Sequence, residues 1–168
     1  MDVFIEKLVK RRADTRAVML RIGIVLAAVG ICAVFWLIPP LTSFFPMAFI
    51  GCAWGAVTLL RMQDTEYEYA FTNGELDIDK IMEKSRRKRV LTIECGKFDI
   101  VAPFTDEYAS ERSGAAKVLD FAASTDHFGS YFAAYSGKDG KTVLIFDPDD
   151  RMLDAIKIHI PSKLKRRA

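Results

Sequence analysis

Between Ile22 and Leu60 no charged side chain interrupts the apolar pattern, and Pro39, Pro40 and Pro46 divide the run near its middle. At about 1.5 Å per residue, one continuous helix of that length would reach about twice the roughly 30 Å hydrocarbon thickness of a bilayer. The pattern therefore predicts a transmembrane helical hairpin over 22–62, with spans at about 22–38 and 44–60. After Arg61 the period changes to alternation. Tyr67, Tyr69 and Phe71 fall on one face and Glu66 and Glu68 on the other, the signature of a half-buried strand. Asn73-Gly74, a pair suited to a type I′ turn, leads into a second alternating segment through Leu76 and Ile78.

Two further alternating runs, 89–94 and 97–101, flank Cys95-Gly96 and predict a second hairpin. A polar stretch over 105–114 follows. Strands are then expected over 117–123, 128–135 and 141–146, the last two joined by a compact turn at 137–140. A closing helix is signalled by Asp147 as N-cap, Pro148 at the first helical position, and Asp149 and Asp150 near the positive end of the helix dipole. Its apolar stripe is Met152, Ile156 and Ile160, and Pro161 ends it. The expected fold is a two-helix transmembrane hairpin followed by a mainly β domain over 63–168, with about seven antiparallel strands and a C-terminal helix.

Charge adds an orientation. Lys7, Lys10, Arg11, Arg12, Arg16 and Arg21 outnumber Asp2, Glu6 and Asp14 in the segment 1–21, whereas the turn between the spans carries no charge. Positive flanks stay on the cytoplasmic side, so both termini are expected there, in a multi-pass protein of the inner (cell) membrane. Val3, Phe4, Leu8 and Val9 alternate with charged residues in a way that fits a short amphipathic helix on the inner leaflet. Gly23 with Ala27, and Gly51 with Gly55, are small-residue pairs that allow close helix packing, most simply within the hairpin and otherwise between two copies in a homo-oligomer. Trp36, Phe44 and Phe45 cluster where interfacial aromatic anchors are expected. The spans hold no ionisable Asp, Glu, Lys, Arg or His, which argues against transport.

Catalytic equipment is not visible in the sequence. Cys32, Cys52 and Cys95 form no Cys-x-x-Cys pair, and His127 and His159 have no partner at metal-ligand spacing. Ser110, Ser113 and Ser136 lack a nucleophile motif. No catalytic residue, metal or cofactor is expected. Arg86, Arg87, Lys88 and Arg89, following Ser85, form the strongest charge cluster, and Lys163, Lys165, Arg166 and Arg167 form a second. Both are candidates for contact with anionic lipid, at about 1 kcal/mol per basic residue held at such a surface. The alternative is a solvated loop that discourages edge pairing. Nucleic acid is not an expected partner, because the domain has no net basic excess.

The order of strands and one capping helix behind a two-span hairpin resembles the bacterial pleckstrin-homology-like membrane proteins. The segment from Glu66 to Asp79, with Arg86-Arg87-Lys88-Arg89 and Phe98-Asp99-Ile100-Val101-Ala102-Pro103, is also similar to a family of small uncharacterised membrane proteins from Firmicutes. The resemblance implies a PH-like domain. Known members of that fold bind phosphoinositides through a basic loop between their first two strands, and the corresponding link expected here is the tight Asn73-Gly74 turn. The expected function is non-enzymatic: a PH-like domain presented at the inner leaflet to recruit or scaffold a protein partner. The alternative is anionic-lipid sensing through the basic loop.

Overall fold

The computed structural model describes residues 4–82, 86–137 and 139–167 of the 168. Val3, Ser85 and Lys138 lie outside the described residues. The chain forms two compact units, a helical unit containing 13–65 and a β-domain drawn from 1–12, 66–81 and 85–168.

In the helical unit, α1 (Thr15–Leu37) and α2 (Phe45–Arg61) are joined by a 3-10 segment, Pro39–Phe44, where consecutive prolines deny the backbone its helical donors. The Asp14 carboxylate accepts from the Thr15 amide at 2.6 Å and starts α1. The two helices meet along half-exposed positions that include Ile24, Ala28 and Cys32 on α1 and Ala48, Cys52 and Ala56 on α2. Arg21 and Asp64 pair at 3.2 Å at the charged end. The Trp36 and Phe45 rings meet edge to face at 5.3 Å at the other end. Of the small-residue pairs, Gly55 is half-buried like the seam positions. Gly23, Ala27 and Gly51 are exposed, and each precedes a seam residue by one position, about 100° round the helix. A Cβ added at Gly23, Gly51 or Gly55 would meet nothing within 4 Å.

The amphipathic-helix reading of the N-terminus is also overturned, because Phe4–Lys10 is a strand, β1. It pairs antiparallel with β2 (Thr65–Thr72), from Phe4 opposite Thr72 to Lys10 opposite Glu66. Its two-residue alternation places Val9 in the core and leaves Phe4 and Leu8 outside. The whole helical hairpin is thus inserted between two paired neighbouring strands. The first two strands of the domain are β1 and β2, and the link between them is the hairpin itself rather than the Asn73-Gly74 turn.

That turn joins β2 to β3 (Glu75–Met82), with Asn73 at φ 48° and Gly74 at φ 93°, as a type I′ turn requires. Beyond β4 (Arg86–Glu94) the expected second hairpin is absent. A 3-10 turn at Cys95–Lys97 instead carries the chain from one sheet to the other. The first sheet has the order β1-β2-β3-β4. The second, of β5 (Phe98–Pro103), β6 (Lys117–Asp120), β7 (Tyr131–Gly137) and β8 (Gly140–Phe146), has the order β5-β7-β8-β6. Among the described residues there are therefore eight strands, not seven, and β6 runs parallel to β8. The 105–114 stretch holds a 3-10 turn, Asp106–Tyr108, and a short helix, α3 (Ala109–Arg112). Tyr69, Phe71, Leu76, Ile78, Phe98, Leu144 and Phe146 are fully buried in the main core.

The closing helix, α4 (Asp150–His159), buries Met152 and Ile156 as expected, with Ile160 buried at its C-cap. Its N-cap is Asp149, which accepts from the Met152 amide at 2.9 Å, and not Asp147. Asp147 is engaged elsewhere: its carboxylate accepts from the Ala123 amide at 2.6 Å and its carbonyl accepts from Lys7 Nζ at 2.8 Å.

Candidate functional site

The first basic cluster lies in a strand rather than a loop. Arg86, Arg87, Lys88 and Arg89 open β4, the edge strand of the first sheet, and two of the four are neutralised by carboxylates of that sheet. Arg87 pairs with Glu68 at 2.9 Å, and the Arg89 guanidinium bridges Asp77 and Asp79 at 3.1 Å each. The hydrogen bond to Asp79, then the charge of Asp77, raises the Arg89 pKa above its ordinary value. Among the described residues, Arg86 and Lys88 have no such partner and stand exposed. β4 begins beside the strand ends that connect to the hairpin, since β2 runs away from the hairpin, β3 returns and β4 runs away again.

The second cluster is elsewhere and is partly structural. Lys163 donates to the Phe98 carbonyl at 2.7 Å, and Arg166 pairs with Asp154. The tail lies along β5 through a parallel bridge between Val101 and Leu164, with Val101 N to Lys163 O at 3.0 Å and Lys165 N to Val101 O at 2.8 Å. It therefore covers the β5 edge of the second sheet. Lys163 and Arg166 are occupied in that task, whereas Lys165 and Arg167 keep exposed side chains. The two clusters lie on edges of different sheets and do not form one patch.

A third arrangement gave no signal in the sequence because its parts are far apart in the chain. Arg11 Nη2 pairs with Asp120 Oδ2 at 3.2 Å, its Nη1 lies 3.4 Å from the Tyr67 hydroxyl, and the Arg12 amide donates to the Ala123 carbonyl at 2.6 Å. The Tyr69 hydroxyl donates to the Phe121 carbonyl at 2.6 Å, and its burial raises its pKa well above the phenol range. These bonds fasten the segment after β6 to the strands that lead to the hairpin. From that segment projects a turn in which His127 adopts φ 53° and Gly129 φ 89°. The His127 ring packs on Phe104 at 4.6 Å, with its Nδ1 4.0 Å from Asp120 Oδ1. The Asp126 carboxyl sits below its usual range, held first by the Ser124 hydroxyl and then by the Phe128 amide, with Arg12 adding opposite charge.

Among the described residues no group of three or more His, Cys, Asp and Glu side chains is arranged to hold a metal ion. A cleft of about 480 Å³ lies between α1 and α2, lined by apolar side chains and by Cys32 and Cys52. It offers shape and hydrophobicity but no acid, base or activated nucleophile.

Compared with known families, residues 1–166 match the model described as a bacterial PH-like domain (DUF6106). No curated protein and no solved structure gives a significant match.

Proposed function

Since the chain belongs to the bacterial PH-like domain family, we propose that it is a non-enzymatic integral membrane protein whose PH-like domain serves as a recruitment platform at the cytoplasmic face of the membrane. Domains of this kind are typically non-catalytic, and α1 and α2 are each long and apolar enough to cross a bilayer. One observation carries the reading: the hairpin is inserted between β1 and β2, whose Lys10 and Glu66 pair directly. The domain is thus joined to the helices by two chain connections at adjacent strand ends, while the other side of β1 is an open edge for an incoming segment.

The recruiting face is the solvent side of β1. Phe4 and Leu8 are 63% and 57% exposed there, four residues apart on an edge strand. A partner segment laid along this edge would gain both main-chain hydrogen bonds and two apolar anchors. The test is site-specific photo-crosslinking of the full-length protein in its host membrane from Glu6, which lies between the two anchors. A discrete protein adduct that disappears in the Phe4→Ser/Leu8→Ser variant is expected. An adduct pattern unchanged by those substitutions, or lipid adducts alone, rejects the reading.

Contact with anionic lipid is a second reading, favoured by the unpaired Arg86 and Lys88 at the hairpin-connected end of β4. Full-length protein in vesicles of mixed neutral and anionic lipid should enrich the anionic species in its lipid annulus. Neutralising Arg86 and Lys88 should remove that enrichment, while neutralising Arg87 and Arg89 should change it less.

A further inference from the structure

The turn after β6 presents one feature that neither reading uses. Phe128 is 90% exposed, more than any other large hydrophobic side chain in the described part of the chain. It is held there by a formed loop rather than left on a loose end. The His127 amide donates to the Ser124 carbonyl at 3.3 Å, the Ser130 amide to the His127 carbonyl at 3.0 Å, and the Phe128 amide to Asp126 Oδ1 at 3.2 Å. The residues on both sides, His127 and Gly129, take left-handed backbone conformations, and the His127 ring is seated on Phe104. Left-handed conformation is uncommon for a residue other than glycine, so this loop is built to aim Phe128 away from the core.

Its position in the β-domain indicates what lies opposite. The chain leaves the domain at Arg12 and re-enters at Glu66, beside the Lys10 and Glu66 pair. The loop is anchored at that end: Ala123 accepts from the Arg12 amide, and Asp120 pairs with Arg11. Lys10 and Arg12 are exposed there, and Arg86 and Lys88 open β4 on the same side of the first sheet. The opposite end of the domain is marked by the Asn73-Gly74 turn, over which the His159 ring sits. The loop carries the Asp126 carboxylate, which Arg12 offsets, and an exposed aromatic ring with a cation nearby, at the end that leads into two apolar helices, has the chemistry of an interfacial anchor, in which the ring enters the headgroup boundary.

We infer that the Ser124–Ser130 loop is a third membrane contact, with Phe128 inserted into the interfacial layer of an anionic bilayer. This rests on the reading of α1 and α2 as membrane spans. The partner is the lipid surface and not a protein groove, because both chain connections from this end of the domain lead to the helices.

The test uses full-length protein reconstituted in phosphatidylcholine and phosphatidylglycerol vesicles, with tryptophan fluorescence quenched by lipids brominated along the acyl chain. Three single-reporter proteins are needed: native Trp54 in a Trp36→Phe background, and Phe128→Trp and Ile158→Trp, each in a Trp36→Phe/Trp54→Phe background. Ile158 is 73% exposed on α4, one residue before His159 at the opposite end of the domain, and serves as the solvent reference. The expected result is quenching of Trp54 and of the Phe128→Trp reporter, the latter strongest with bromines nearest the headgroup, and no quenching of the Ile158→Trp reporter. Quenched Trp54 with an unquenched Phe128→Trp reporter overturns the inference and leaves the spans intact. A blue-shifted but unquenched reporter at 128 overturns it in favour of a protein pocket. Unquenched Trp54 overturns the membrane reading itself.

Discussion

The helical hairpin and the β-domain use the same apolar residue types in opposite ways. Along α1 and α2 no residue is buried, and Leu26 and Ile50 are 65% and 68% exposed. In the β-domain Tyr69, Phe71, Leu144 and Phe146 are fully enclosed. The first pattern is one of run length: any residue will serve if it is apolar and uncharged, because an exposed helix position has no particular neighbours to fit. The second is one of position, because each enclosed side chain has a particular set of neighbours in a close-packed interior. Changes of equal size should therefore be tolerated in one unit and felt in the other.

The sharpest break of this comparison removes β1. Without residues 1–12, β2 becomes an open edge, the core loses Val9, and the segment after β6 loses Arg11 and Arg12. The β-domain is expected to lose its cooperative unfolding transition. Conversely, replacing Ala13–Asp64 by a turn of about four residues should yield a soluble, cooperatively melting domain, because Lys10 and Glu66 already sit opposite one another. Circular dichroism melts of the two proteins decide it. Cooperative melting of the truncated chain would make β1 peripheral.

Within that hairpin-replaced domain, Leu144→Ala should cost about 2–5 kcal/mol in denaturant titration, since the side chain is fully buried. Leu26→Ala in the full-length protein should leave the melting of the β-domain unchanged. A second core effect is alkaline. Burial raises the Cys95 thiol from 9.0 to about 12. Below pH 9 the thiol is neutral in both folded and unfolded chains, so it does not alter stability. Above that, the unfolded chain ionises first, and stability falls as pH rises towards 12, by about 4 kcal/mol at the limit. The buried Tyr69 hydroxyl acts in the same direction, so the Cys95 share is the part of the slope that Cys95→Ala removes. An unchanged slope in that variant rejects the assignment.

How far each unit can be read from its sequence follows from the same contrast. The hairpin is legible because a charge-free run broken by prolines needs no knowledge of what packs where. Its seam is less legible: Gly51 and Gly55 carry the familiar spacing, yet Gly51 is exposed while Cys52, Gly55 and Ala56 are half-buried. In the β-domain the alternation of Tyr67, Tyr69 and Phe71 and the Asn73-Gly74 turn are local signals, and the structure follows them. β1 was not legible as a strand because its partner lies beyond the entire hairpin, and seven residues of mixed alternation beside a span also suit a surface helix. The Cys95-Gly96 link has hairpin composition, but the choice between pairing and crossing to another sheet is made by the rest of the core. The loop bearing Phe128 depends on Arg12 meeting Ala123, which no local pattern announces.

A smaller effect is expected at the start of α4. Asp149→Ala removes the acceptor for the Met152 amide and should cost about 1 kcal/mol, whereas the same change at Asp150, inside the first turn, should cost less. Equal losses at the two positions would mean that the charge near the helix end matters more than the cap.

The smallest effect separates structure from surface chemistry in β4. Arg87 is 58% exposed and its pair with Glu68 is open to solvent screening, so Arg87→Gln should change stability by only about 0.2–1 kcal/mol, and less at high salt. Lys88→Gln breaks no such pair and should leave the melting midpoint where it is. The two variants diverge in the membrane: Lys88 carries a charge that β4 does not neutralise, whereas the Arg87 charge is already met by Glu68. Lipid enrichment measured on the full-length protein should therefore fall more for Lys88→Gln than for Arg87→Gln, the reverse of their order in stability. If both fall together, the edge acts through its total charge, and the carboxylates of the first sheet do not select which cations face the lipid.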